Sequence, residues 1–431
     1  MTISILTAGT GSYYCGACMR DHELARHLRA AGHEVALVPL YLPLTLDEVR
    51  GEEAERGPVF YGGINVWLQE KWAFFRKTPA WLDRLFNGRS LLRSAAKRSH
   101  LTSAHEQGEM SWRMLVPEEA HLQKESGKLL DWLREHEKPD VILLSNALLA
   151  GMARELKTSL GVPVFCAFQG EDSFLDGLPT PWRERCWEAL GERLEDCDGL
   201  IAPSRFYAEL MAGRLKLSAE DIEIIPNGVR AEEWPVSCLP DDPPVIGYLA
   251  RQCEIKGLGV LVDAFIDLRT RLGDERTRLA IAGTATAENE PFIKAQQEKL
   301  AAAGLGDEVT WQSNISREEK EAFLASLTLF SVPATYAEAF GLYLVEAMAA
   351  GLPLVQPRAA AFTEILAQSQ AGRLHEPGEA RDLARVWQEL LGDRQALVEV
   401  GRKARQAAEG AFGLEAVAQR YLELFQAGPR V

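Results

Sequence analysis

Two glutamates eight residues apart, Glu338 and Glu346, stand in the run Ala337-Glu338-Ala339-Phe340-Gly341-Leu342-Tyr343-Leu344-Val345-Glu346, which closes on Gly351-Leu352-Pro353. In a chain with 62 acidic residues such a pair means little by itself, and its surroundings give it a use. Gly341 sits at the start of a predicted helix. The backbone N–H groups from Phe340 to Leu342 are then free at the helix's positive end, where a phosphate or another anion is favoured. Glu338 lies in the loop before that helix and Glu346 within it, and Gly351 with Pro353 stops it. A second run, Ile246 to Gly257, reads as a strand whose carboxyl end delivers Arg251 and, five residues on, Lys256. Ligands of open parallel sheets bind outside those strand ends. Two cations there suit a pyrophosphate and can stabilise charge that develops on it as it leaves. The plain alternative is two solvated helix-end carboxylates, a surface arginine and a helix-start lysine.

Together the two runs resemble the E-x7-E motif and the G-R-x4-K-G element of retaining GT-B glycosyltransferases of the large family 4 type, which includes phosphatidylinositol mannosyltransferases and sucrose-phosphate synthases. Ala250 replaces the glycine of the second element. The likeness extends over most of the chain. It implies a GT-B fold, two Rossmann-like doubly wound α/β domains facing a cleft, with the donor held mainly by the second. It implies a nucleoside diphosphate sugar donor (UDP or GDP), retention of configuration by same-face attack, and no metal or other cofactor. Glu338 would contact hydroxyls of the donor sugar, Glu346 the ribose, and Arg251 and Lys256 the diphosphate.

Several positions depart from the family pattern. Where the family has a Gly-Gly pair that admits donor and acceptor, this chain has Cys15-Gly16, so Gly11 and Gly16 are the candidates for close backbone approach. Many relatives place a histidine at the position of Gln169, and a neutral amide can hydrogen-bond there but cannot transfer a proton. Glu364 matches the acid of a Gly-Gly-x-x-E element whose glycines are here Ala360-Ala361. These departures keep a second reading open, a nucleotide-sugar-binding protein without turnover; a GT-B epimerase or phosphorylase is a third. A dehydrogenase is disfavoured, because Gly9-Thr10-Gly11-Ser12 lacks the G-x-G-x-x-G spacing and the second strand ends in Pro39-Leu40-Tyr41 rather than in an acid.

Two further patterns imitate metal sites. Cys15, Cys18 and His22 form C-x2-C-x3-H, but no second ligand pair accompanies them. Asp196-Cys197-Asp198 imitates D-x-D just before a strand. No metal is assigned to either.

The elements that must position these residues alternate between short apolar runs and helical patterns in both halves, the mark of helix-covered parallel sheets. Six strands are expected in the first half, near 3–8, 35–41, 141–145, 162–168, 200–203 and 222–226. Five follow, near 245–249, 279–282, 309–312, 327–332 and 353–355. The Pro226-Asn227-Gly228 turn and the acidic, proline-containing stretch 235–244 separate them. The expected divisions are a first domain over 1–235 with an insertion at about 43–138, a donor domain over 236–412, and a C-terminal segment 413–431. In that segment Leu414, Val417, Tyr421, Leu422 and Phe425 form one apolar helix face, which returns to the first domain as the resemblance implies.

The chain has 431 residues, 47% of them apolar, with 47 Lys and Arg against 62 Asp and Glu, a net charge of −15. That balance disfavours nucleic acid as the main partner. Seven thinly spread cysteines do not form a disulfide framework, so a cytoplasmic setting is expected. No apolar run approaches a membrane span, and the first residues do not read as a signal peptide. The exception to the acidity lies between Lys71 and His100, where eight basic residues, Arg84, Arg89 and Arg93 among them, meet one acid and interleave with Trp72, Phe74, Phe75, Trp81 and Phe86. Such an island suits an anionic or lipid-linked acceptor or peripheral contact with an inner membrane face; inward-packed aromatics under solvated arginines are the alternative.

Overall fold

Strands buried on both faces read as continuous apolar runs, and these runs become two six-stranded sheets in the computed structural model, which describes residues 1–9, 16–41, 60, 104–117 and 123–428. The first sheet has the order β2-β1-β3-β4-β5-β6 and the second β12-β11-β10-β7-β8-β9. Its first set comprises β1 (Thr2–Thr7), β2 (Glu34–Pro39), β3 (Val141–Leu144), β4 (Val164–Ala167), β5 (Gly199–Ala202) and β6 (Ile222–Ile224). The second comprises β7 (Val245–Leu249), β8 (Arg278–Gly283), β9 (Val309–Ser313), β10 (Leu329–Phe330), β11 (Leu354–Pro357) and β12 (Gly372–His375). Every ladder is parallel. Strand order reverses between β1 and β3 in one sheet and between β7 and β10 in the other, and crevices for ligands form at such switch points.

One strand escaped the sequence reading. β12, Gly-Arg-Leu-His, carries a single aliphatic residue in an edge position, so no apolar run announces it. It exists because β11 offers a ladder from Leu354 to Pro357 on which residues 372–375 align.

The chain divides into two units, Met1–Ile225 with Ala418–Val431, and Pro226–Val417. The division falls at the Pro226-Asn227-Gly228 turn, ahead of the 235/236 boundary expected from composition. Val229, Ala231, Trp234 and Leu239 are buried in the second unit's core, which draws the connecting stretch into that unit. Val229 also exchanges backbone hydrogen bonds with Phe412 and Leu414 at 3.0 Å each. Within the helix Leu414–Ala427, residues from Ala418 onward belong to the first unit. There Phe425 packs its ring 5.1 Å from Phe165, and Arg420 donates to the carbonyl of Ile224. The apolar positions from Leu414 to Phe425 singled out by spacing are all buried. Among the described residues no helix is long and apolar enough to cross a membrane.

His375, at the end of β12, is fully buried and directs Nδ1 to the carbonyl of Glu376 at 2.9 Å. Burial holds its pKa below the ordinary 6.5. The unfolded chain therefore binds this proton more readily, so the stabilisation is complete above about pH 6.5 and is lost as pH falls below it. Denaturation midpoints measured from pH 7.5 to 5 should show this decline, and His375→Gln should flatten it.

Candidate functional site

The site of the second unit is assembled at the β7/β10 switch point. Tyr248, buried in β7, donates its hydroxyl to the carbonyl of Arg251 at 2.9 Å, and the buried amide of Gln252 donates to the carbonyl of Gln312 at 3.1 Å. These bonds fix the chain as it leaves β7. A single helical turn, Glu254–Lys256, follows and ends on Gly257. Gly257 has φ +75°, and a Cβ there would lie 1.8 Å from the carbonyl oxygen of Pro333. Only glycine permits this approach. It lays the turn against the segment after β10, where the N–H of Thr335 donates to the carbonyl of Ile255 at 3.0 Å.

Lys256 and Glu338 are brought together by this contact. Lys256 Nζ stands 2.6 Å from Glu338 Oε2, and the two side chains are only 13% and 12% exposed. The same ammonium donates to the hydroxyl of Tyr336 at 2.5 Å and lies 4.7 Å and 5.3 Å from the ring centres of Tyr336 and Tyr343. Tyr343 donates its hydroxyl to Glu338 Oε2 at 2.9 Å. Burial first, and the Glu338 carboxylate second, push both tyrosine hydroxyls well above their ordinary pKa, so they remain protonated donors.

Beside this cluster the helix Leu342–Ala349 begins at Gly341, whose φ is +86°. No side chain caps it and no acid occupies its first turn, so its N-terminal N–H groups are available to an anion. Glu346 lies within the helix, 4% exposed, and its Oε1 is 2.6 Å from Nζ of Lys320, which is 6% exposed. Arg251 is exposed on the loop after β7. Phe340 is buried, and the carbonyl of Glu338 accepts from the N–H of Ala361 at 3.4 Å. Ala360 has φ +50°, the left-handed region that glycine would occupy without strain. The backbone thus keeps, at this alanine, a conformation suited to the glycine of the resembled element. Glu364 is half-buried on the helix Ala360–Ser369.

In the first unit Gln169 follows β4, and its N–H donates to Oε2 of Glu171 at 2.7 Å. Glu171 is buried, accepts also from the N–H of Ala147 at 2.8 Å and from the hydroxyl of Tyr207 at 3.1 Å, and has its carboxyl pKa pushed up by burial. Gly16 opens the helix Gly16–Ala30, and a Cβ on it would meet nothing within 4 Å. Buried Arg20 pairs with Asp21 and donates to the carbonyl of Ser145 at 2.9 Å, at the β1/β3 switch point. Cys18 is buried with Sγ 3.4 Å from Thr7 Oγ1. Asp196 pairs with Arg154, and Asp198 with Lys157 and the N–H of Val164. Gly11, Cys15, Trp72, Trp81, Arg84, Arg89 and Arg93 lie outside the described residues.

Sequence reasoning overlooked Tyr336, Tyr343, Lys320 and Glu171. Both tyrosines stand within a few residues of Glu338, Tyr343 inside the motif and Tyr336 one residue before it, and were visible as polar-tipped aromatics. Lys320 carries no local signal, because its partner is on another helix.

Two doubly wound parallel sheets, with a cation, a carboxylate and an open helix N-terminus at the switch point of the second, define a protein of GT-B fold. Residues 16–228 match the glycosyl transferase 4-like domain and residues 230–407 the glycosyl transferases group 1. The chain belongs to the glycosyltransferases that combine these two domains. It is 27% identical over 237 residues to the D-inositol 3-phosphate glycosyltransferase of Arthrobacter sp. (strain FB24), an alignment covering 53% of this chain and 55% of that one. The chain thus spans about half the length of the curated relatives it matches. Among solved structures, sucrose-phosphate synthase from Thermosynechococcus elongatus superposes with a TM-score of 0.71 at 18% identity, covering 99% of this chain and 98% of that one. HepE of Anabaena, solved in complex with UDP, superposes with a TM-score of 0.69 at 17% identity, covering 99% and 100%. At these identities the likeness is one of fold.

Breaking the Lys320–Glu346 pair leaves a buried carboxylate without its cation. Lys320→Met should destabilise the chain by about 3–5 kcal/mol in chemical denaturation. Adding Glu346→Met should restore most of that loss.

Proposed function

We propose that the chain transfers a sugar from a nucleoside diphosphate donor, UDP- or GDP-linked, to an acceptor hydroxyl with retention of configuration and without a metal ion. The observation that carries this reading is the placement of Lys256 and Glu338 beside the uncapped start of the helix Leu342–Ala349, at the switch point. An ammonium has three N–H donors, and Tyr336 and Glu338 take two. The third is left for a phosphate oxygen.

In this reading Arg251, Lys256 and the helix N-terminus stabilise the charge that develops as the diphosphate departs. Glu338 accepts from hydroxyls of the donor sugar and Glu346 from the ribose. Gln169 hydrogen-bonds near the reacting carbon without moving a proton, and the leaving diphosphate takes the acceptor's proton on the same face. Asp196 and Asp198 serve as ion-pair partners, which leaves the diphosphate to fixed cations. For the acceptor we propose an anionic molecule. The basic island around Arg84, Arg89 and Arg93 favours this in a chain of net charge −15, and the Arthrobacter relative is named for a phosphorylated inositol.

A screen of nucleotide sugars that reads nucleoside diphosphate release with and without phosphorylated polyols tests this reading. Sugar-nucleotide binding without any release would favour the binding-protein alternative. Arg251→Ala and Lys256→Ala should each lower kcat/KM by about 10². Near-normal turnover in either would remove that residue from the diphosphate site. Activity should survive EDTA; a complete loss that Mn2+ restores would overturn metal independence. Neutralising Arg84, Arg89 and Arg93 together should raise the acceptor KM and leave donor binding unchanged.

A further inference from the structure

The carboxylate of Glu338 is held asymmetrically. Oε2 accepts both from Lys256 Nζ at 2.6 Å and from the Tyr343 hydroxyl at 2.9 Å, whereas neither donor reaches Oε1. Lys256 divides its ammonium among Tyr336, Glu338 and, in the reading above, a phosphate oxygen. Tyr343 has no such second demand. It is anchored in the first turn of the helix Leu342–Ala349, its ring lies 6.2 Å from that of Phe330 in β10, and its hydroxyl keeps its proton. A Cβ on Gly341 would come within 3.2 Å of the Tyr343 ring, so the glycine that opens the helix also makes room for that ring.

We propose that Tyr343 is a positioning residue for the donor sugar, whose hydroxyl pins Glu338 Oε2 and turns Oε1 toward a hydroxyl group of a sugar. The recognised group must be a hydrogen-bond donor, because an ionised carboxylate only accepts. This predicts discrimination against donors that are deoxygenated or O-methylated at the position facing Glu338. A phenol bound to a carboxylate is a charge-assisted hydrogen bond, and its loss is expected to cost about tenfold in the step that needs the fixed carboxylate.

The inference rests on the nucleotide-sugar reading above, and the experiment separates the two. Wild-type chain, Tyr343→Phe, Glu338→Gln and the double variant are assayed for turnover of the best nucleotide sugar and of its deoxy analogues, and for binding of the sugar-free nucleoside diphosphate. Failure of the wild-type chain to bind any nucleoside diphosphate overturns the underlying reading. Given a working wild-type chain, Tyr343→Phe should lose about tenfold in kcat/KM for the intact sugar while its affinity for the sugar-free diphosphate stays within about twofold. Its discrimination against the responsible deoxy analogue should shrink by a similar factor. In the Glu338→Gln background Tyr343→Phe should have little further effect, which keeps the test valid even if the phenylalanine variant is less stable. Unchanged kcat/KM and discrimination in Tyr343→Phe, equal losses of sugar-nucleotide and diphosphate binding, or additive effects of the two substitutions would each overturn it.

Discussion

Gly257 has no room for a side chain, and the donor-side site depends on that fact. A Cβ would collide with the carbonyl of Pro333, so the turn after β7 can rest on the segment after β10 only because this residue is glycine. The contact brings Lys256, one residue before it, to Glu338, five residues beyond Pro333. Two loops that are remote in sequence leave neighbouring strands at the point where strand order reverses, and a backbone contact converts that proximity into a side-chain pair. Without the close approach, the cation and the carboxylate would belong to separate loops.

The pairing also shapes what the site can do. Lysine and glutamate that are nearly removed from water must satisfy one another, and here two tyrosine hydroxyls complete the set. A cation held in this way is oriented, yet keeps donor capacity for an anion. The pair of Lys320 and Glu346 shows the same economy deeper in the unit. In both cases an acid of the E-x7-E motif is supplied with a cation from elsewhere in the chain, which lets an acidic protein place carboxylates beside a prospective diphosphate without uncompensated repulsion.

The first unit uses buried polar groups differently. Glu171 gathers N–H groups from Ala147 and Gln169 and the hydroxyl of Tyr207, and so binds the segment after β3 to the segment after β4. Arg20, with Asp21, ties the helix Gly16–Ala30 to Ser145. These contacts order the carboxyl edge of the first sheet, where Gln169 stands. Gln169 is thus tied into this framework through its backbone N–H.

The alternation of apolar runs and helical stretches was sufficient to determine two parallel α/β sheets, because strands buried on both faces must be apolar throughout. The run around Glu338 and Glu346 and the strand leading to Arg251 and Lys256 likewise announced an anion site, since a glycine before a helix and cations after a strand have a local physical meaning. Edge strand β12 was illegible, as a strand with one covered neighbour can be built from Gly-Arg-Leu-His once a ladder is offered. The Pro226-Asn227-Gly228 turn marked where the chain divides, but not that the stretch after it joins the second unit, because the burial of Val229, Ala231 and Trp234 is decided by the core they join. Most of all, tertiary structure decided the partnerships. The resemblance implied Lys256 for a diphosphate and Glu338 for a sugar as separate contacts, and only the fold revealed that they pair with one another, that Tyr343 bonds the same carboxylate and that Lys320 pairs with Glu346. Those are distances between residues up to 82 positions apart, set by backbone contacts that no local pattern encodes.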